Sequence, residues 1–328
     1  MGYACKILAD SISLAGHRIT TFEVTFPRIV LAEVNTHCML ARCSASSRAQ
    51  PVPKKINAVQ LDPFIPEAFG RNQKGMQPGE ALDGQEDRKA RELWVTAASD
   101  AVYNAGRLAA LGVHKQYANR LLEPFSWHTA VITATEWDNF EHLRVNPMAQ
   151  GEFQTIARMM KEAREHSEPR KLLEDEWHMP YVGFHEGIEL QKDAINPVKV
   201  SVARCARVST LTQDGVRDSR ADVALYERLL ESGHMSPLEH VARPMTKWEL
   251  LITESFDIAL DDGPILRVAS SSLDKAPTIG DTWRTEDSLK TITYARGPVH
   301  FSAKFNGWVS RRQFVHGEHD ILGHRAAK

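Results

Sequence analysis

The sequence predicts an α/β protein, and three observations carry that expectation. Residues 21–26 alternate: Phe22, Val24 and Phe26 face one way, and Thr21, Glu23 and Thr25 the other. That is the period of a half-buried strand, ended by Pro27. Residues 88–111 place Trp94, Ala98, Ala101, Ala105 and Leu108 at helical spacing, with Gly112 as a stop. Residues 152–164 do the same with Phe153, Ile156, Ala157 and Met160.

The remaining elements can be taken in chain order. Val30, Val34, His37 and Ala41 recur at helical spacing, which puts His37 near the C-terminal end of a helix. A lone histidine on such a face is more often a packed core residue than a ligand contact. Residues 50–90 hold Pro51, Pro53, Pro63, Pro66 and Pro78 and read as a long ordered loop or lid, anchored by Phe64, Ile65 and Phe69. Residues 115–122 read as helix and 127–134 as strand. Residues 166–195 are polar and interrupted by proline, and 198–204 look like a short strand or a helix entry. Residues 218–232 form a helix through Ala221, Leu225 and Leu229, ended by Gly233, and Trp248 to Thr253 is a strand candidate. From 261 to 328, Gly, Pro, Ser and Thr dominate apart from Ile265–Val268, so this part is expected to be an irregular extension packed on a body formed by residues 1–260.

A chain of 328 residues, 42% hydrophobic and 25% charged, can bury a substantial core. Its net charge of −2 gives no sign of a nucleic-acid polymer or a membrane surface as partner, although a nucleotide monomer needs only a local positive pocket. Cys5, Cys38, Cys43 and Cys205 show neither disulfide nor zinc spacing, so free thiols in a reducing cytoplasm and no metal are expected. No apolar run is long enough to span a bilayer, and no signal peptide is evident.

The chemistry concentrates in Thr36-His37-Cys38-Met39-Leu40-Ala41-Arg42-Cys43-Ser44-Ala45-Ser46-Ser47-Arg48. Ser44, Ser46 and Ser47 offer hydroxyls, and Arg48 adds a planar cationic fork suited to phosphate. The stretch reads as an anion cradle, or equally as a solvated Ser-rich turn. It resembles the R-H-R-x-x-S-x-x-x-x-S-x-R pattern of the flavin-dependent thymidylate synthases at His37, Ser46 and Arg48. Thr36, Cys38 and Ala41 depart from it. A second block begins with Asn119-Arg120-Leu121-Leu122-Glu123-Pro124, which resembles the family's A-R-x-x-L-P segment. Thr129 to Arg144 resembles its T-x-x-x-T-x-N-x-R-x-L-x-x-F-x-x-L-R segment, and Ala149-Gln150 with Glu152 resembles its A-Q-x-E-I region. Thr133 and Thr135 stand where the family has Asn and Arg. A third block, Ala203-Arg204-Cys205-Ala206-Arg207-Val208-Ser209 and then Gly233-His234-Met235-Ser236-Pro237-Leu238-Glu239-His240, resembles the family's A-A-R-x-S and G-H-x-S-P-F-E-H segments, which ordinarily open the chain. The chain therefore resembles a circularly permuted member, with an antiparallel or mixed sheet, packed helices and a catalytic domain over 1–260. Permutation is reasonable because domain termini often lie close together.

The resemblance implies transfer of a one-carbon unit from methylenetetrahydrofolate to C5 of dUMP, with FAD carrying the hydride and NADPH reducing it. It also implies a homotetramer with active sites shared between subunits. It assigns Ser44, Ser46, Ser47, Arg48, Arg120 and Arg144 to dUMP, with Arg144 beside the ring. His37, Arg42, Asn139 and His240 go to FAD, and Ser46, Arg144 and His240 to catalysis. Thr36 and Cys38 remove two cations from the flavin neighbourhood; Arg42, Lys54, Lys55, Arg311 and Arg312 are candidate substitutes. No cysteine is nominated as a nucleophile. Two alternatives stay open: another C5 modification, such as hydroxymethylation of dUMP or dCMP, and a nucleotide-binding protein that has lost flavin chemistry. Without the resemblance, Arg120 and Arg144 read as surface ion pairs, and Ser236 to His240 as a capped helix start.

Overall fold

The computed structural model describes residues 2–208, 217–247, 250 and 305–315, and the backbone of four further strands. The architecture is mixed α/β. A hairpin of β1 (Ala4–Ser13) and β2 (Arg18–Pro27) starts the sheet. Its turn requires Gly16 at φ 90°, a conformation open to glycine at no steric cost. After α1 (Leu31–Asn35) come β3 (Ala41–Ser44), α2 (Val52–Leu61), α3 (Gly84–Ala110), α4 (Lys115–Ala118), a 3₁₀ segment Asn119–Phe125 and β4 (Trp127–Ala134). Next are α5 (Asp138–Arg144), α6 (Gly151–Glu165), β5 (Arg170–Leu172), α7 (Phe184–Lys192), α8 (Pro197–Ala206), α9 (Ser219–Glu231), a 3₁₀ turn Ser236–His240 and β6 (Ala242–Pro244). The five-stranded sheet runs β3-β4-β2-β1-β5, antiparallel except for the β1–β5 pair.

One face of the sheet is an apolar core. Phe22, Val24 and Phe26 of β2 and Ala130, Ile132 and Ala134 of β4 meet Phe140 of α5 and Phe153, Ile156, Ala157 and Met160 of α6. The other face is also covered, by α8, the 236–240 turn and the segment around His178. Thr21 is fully buried, so the half-buried strand expected over 21–26 is buried on both sides. A satellite core joins α2, α3 and Phe125.

Several sequence expectations change. The helix expected through Ala41 stops at Asn35; His37 lies in the turn after it and Ala41 opens β3. The stretch 50–90 is not all loop: Pro51 is the N-cap of α2 and Pro53 lies in its first turn, where a missing N–H costs nothing, and α3 begins at Gly84. Residues 198–204 lie inside α8, capped by Asn196, whose side chain accepts from Val198 N at 2.9 Å. Part of 166–195 is ordered as β5 and α7. The turn at 236–240 has no side-chain cap. Of the strand candidate 248–253, only Leu250 is described, and its N–H bonds to Thr246 O at 2.9 Å in a helical i→i−4 pattern.

The segment beyond 260 is not uniformly irregular. The backbone of β7 (Phe256–Leu260) pairs with β8 (Pro264–Val268), and β9 (Thr282–Thr285) pairs with β10 (Ser288–Thr293). β11 (Trp308–Ser310) pairs antiparallel with β6 and buries Trp308 against Ile19 and Ala242.

Candidate functional site

The nominated residues fall into three groups around β3 and β4. The first is at the end of α1. Arg144, the last residue of α5, donates from Nε to His37 Nε2 at 2.7 Å and from Nη2 to Thr36 Oγ1 at 3.4 Å. Its guanidinium lies 4.8 Å from the Phe153 ring centroid. Among the described residues it has no acidic partner. Because Arg144 can only donate, His37 Nε2 accepts, and the ring is neutral with its proton on Nδ1. Burial, then the Arg144 and Arg42 charges, push His37 down to about 4. Arg42 donates to His37 O at 2.6 Å and Val34 O at 3.0 Å, so it ties β3 to the end of α1. Asn139 is exposed on α5.

The second group lies beyond the other end of β3. Ser44 and Ser46 are exposed, and Ser46 Oγ accepts from Arg48 N at 3.3 Å. Arg48 is exposed. Ser47 is buried and donates its hydroxyl to Glu123. Arg120 reaches the same carboxylate at 2.8 Å, as the surface ion pair that its spacing allows, and Arg28 reaches it at 3.2 Å. Burial alone would raise Glu123, but Ser47, Arg120 and Arg28 together hold it below the usual carboxylate range. Asn119 fixes the loop by donating to Ser47 O at 2.7 Å and Gln50 O at 3.0 Å. The four residues of β3 alone separate the two groups by roughly 13 Å. No hydrogen bond, ion pair or ring contact joins Arg48 to Arg144 among the described residues.

His240 forms the third group. It is fully buried beneath β4, with Thr133 Oγ1 2.8 Å from its Nδ1. Thr133 bonds Thr21, its cross-strand partner, at 2.7 Å. Thr21 bonds His178 Nε2 at 2.7 Å, and His178 Nδ1 meets Ser11 Oγ at 2.9 Å. The result is a buried chain from Ser11 to His240. The candidate flavin substitutes Arg311 and Arg312 sit nearby: Arg312 pairs with Glu239 at 2.5 Å, and Arg311 Nε donates to Tyr226 Oη at 3.2 Å.

These placements bear on flavin. Arg42 is bound to two carbonyls, His37 and His240 are buried, and only Asn139 of the four is open. As placed in one chain, the four do not form a face that fits an isoalloxazine ring. Three of the four thiols are held protonated by burial, and Cys38 is exposed. Burial raises Cys5 and Cys43 to about 12 and Cys205 well above the ordinary thiol value, which suppresses the thiolate. No cluster able to hold a metal ion occurs among the described residues. No helix among them is long and apolar enough to cross a membrane.

Residue patterns alone miss Arg28, Glu123, His128 and His178. Arg28 and Glu123 are separated by 95 positions, and only the sheet brings them together. His178 lies in a stretch that reads as polar loop.

No protein-family model matches the chain, and no curated protein matches it. Among solved structures, the chain is similar to the UMP/dUMP methylase PolB from Streptomyces cacaoi bound with 5-Br UMP, at 16% identity and a TM-score of 0.40, over 49% of this chain and 87% of that one. The same protein bound with 5-Br dUMP matches at 16% identity and a TM-score of 0.39, over 49% of this chain and 89% of that one. A likeness at that level supports no inference about activity.

Proposed function

We propose that the chain binds a pyrimidine nucleoside monophosphate and modifies its base at C5, as a permuted relative of the flavin-dependent thymidylate synthases. The observation that supports this best is the contact between Arg144 and His37. These two residues come from separate motif blocks, 107 positions apart, and meet at 2.7 Å. Arg144 lies over the Phe153 ring and is oriented by a neutral histidine, so its remaining N–H groups present a planar donor edge to a ring carbonyl. A guanidinium so placed stabilises negative charge that develops on the base oxygens during attack at C5. Ser46 and Arg48 are exposed and available to the phosphate, with Arg120 beside them, while the Ser47 hydroxyl is committed to Glu123. The separation of the two groups along β3 fits an active site completed by a second copy in a homotetramer.

A second reading has its own support. Arg42 and His240 are engaged inside the protein, which favours a nucleotide-binding protein without flavin chemistry. The visible spectrum of the purified chain with added FAD separates the two. A bound flavin spectrum and a mass gain on dUMP or dCMP, given methylenetetrahydrofolate and NADPH, support the enzyme. Retained dUMP binding with no flavin uptake supports the binding protein. Absence of dUMP binding removes both.

A further inference from the structure

A cavity of about 320 Å³ opens between α2 and the start of β4, at the far side of the Ser47 loop. That volume is near the lower end for small-molecule sites and well above the room one water needs. Arg28, Lys54, Lys55 and His128 line it, against a single lining carboxylate, Asp62. Apolar wall comes from Ala58, Leu61 and Trp127.

Two side chains in this lining lack the partner their burial calls for. His128 is 4% exposed, and its Nδ1 lies 2.9 Å from Arg28 Nη1. Arginine can only donate, so Nδ1 accepts and the proton resides on Nε2. That Nε2–H is buried and has no hydrogen-bond partner among the described residues. Native proteins rarely leave a buried donor unpaired without a reason. Lys55 is the second case. Its ammonium has no hydrogen bond or ion pair among the described residues, although it sits beside Arg28. Burial and then the Arg28 charge bring its ammonium down to about 8, which an incoming anion would reverse. Glu123, the carboxylate whose charge acts on Lys55, is already shared by Ser47, Arg120 and Arg28.

We propose that this cavity is an oxyanion site that takes the phosphate group of a small phosphate ester, held by Arg28, Lys55 and the Nε2–H of His128. A phosphate group has oxygens enough to accept from all three donors at once. The ester is either the nucleotide, whose phosphate then lies here and not on Ser46 and Arg48, or a separate molecule. The site does not depend on the C5 reading.

The test is calorimetric titration of the full chain with inorganic phosphate, with thermal unfolding to confirm that each variant folds. Wild type is expected to bind, Lys55→Met to lose at least tenfold in affinity at unchanged Tm, and Lys55→Arg to recover most of it. Ring-¹⁵N NMR should show the His128 Nε2–H resonance move on phosphate addition. Repeating the titration with saturating dUMP identifies the source: competition assigns the phosphate to the nucleotide, and independent binding assigns it to a second ester. No phosphate binding by wild type, or equal binding by folded Lys55→Met, overturns the site. Neither result touches the contact between Arg144 and His37, which a separate variant tests.

Discussion

On one face of β2 and β4, Phe22, Val24, Ala130 and Ile132 join an apolar cluster with residues of α5 and α6. On the opposite face of the same strands, Thr21 and Thr133 are just as deeply buried, yet they meet His178 and His240. The first face is stabilised by area and packing, so damage there scales with the volume removed. The second is stabilised by a chain in which each hydroxyl and imidazole relies on the next. Loss of one link takes a partner from two buried groups at once. Each threonine hydroxyl holds one proton, so it can donate to only one of its two neighbours. A fold needs only the first kind of face. The second holds His240 in a set position beneath the strand that leads to the candidate site.

The largest expected effect is on the polar side. Arg204 of α8 is fully buried between Asp222 at 3.1 Å and Glu186 at 2.6 Å. Arg204→Met leaves Asp222 with Arg207 alone and should cost about 3 kcal/mol or more in a urea melt. Next comes a matched pair on adjacent residues. Thr133→Val, nearly isosteric, should cost ~1–3 kcal/mol because it takes a hydrogen bond from both Thr21 and His240 Nδ1. Ile132→Val should cost only ~0.5–1.5 kcal/mol. Equal costs would break the contrast between the faces.

Acid sharpens the same contrast. His178 is lowered from 6.5 to about 3, by burial first and then by the charge of His240, with Asp10 opposing. The unfolded chain therefore binds the proton more readily, and stability declines as pH drops below 6.5, continuing towards about 3. His178→Gln should lower the slope of stability against pH over 6.5 to 4.5 by up to ~1.4 kcal/mol per pH unit. An unchanged slope would show that His178 is not the group responsible. The smallest effect is at the surface. Arg120→Ala breaks a half-exposed i,i+3 pair and should change stability by no more than ~0.5 kcal/mol. On the proposed function it should nonetheless weaken dUMP binding.

The apolar face is legible in the sequence because it obeys simple periods. Phe22-Val24-Phe26 and the α6 stripe both appear where their spacing places them. The polar face is not, because Thr21, Glu23 and Thr25 give the pattern of a solvated strand side whatever covers them. Its cover comes from residues more than 100 positions away. β1 escapes the same reading since Lys6, Asp10 and Ser11 break its alternation and a bulge falls between Ile7 and Ala9. α2 is hidden by prolines that belong to its first turn. Within the candidate site, Arg144 and His37 are each nominated by resemblance, but their contact shows only in the fold, and Arg28 and His128 belong to no motif and need the sheet to meet.

The central claim is that Arg144 presents a donor edge to a pyrimidine. Titration of dUMP into the full chain, comparing wild type with Arg144→Met at matched Tm, tests it most directly. Loss of a charge-assisted contact worth ~1.5–3 kcal/mol predicts a drop in affinity of about ten- to a hundredfold. Equal dUMP affinity in the two folded proteins would contradict the claim.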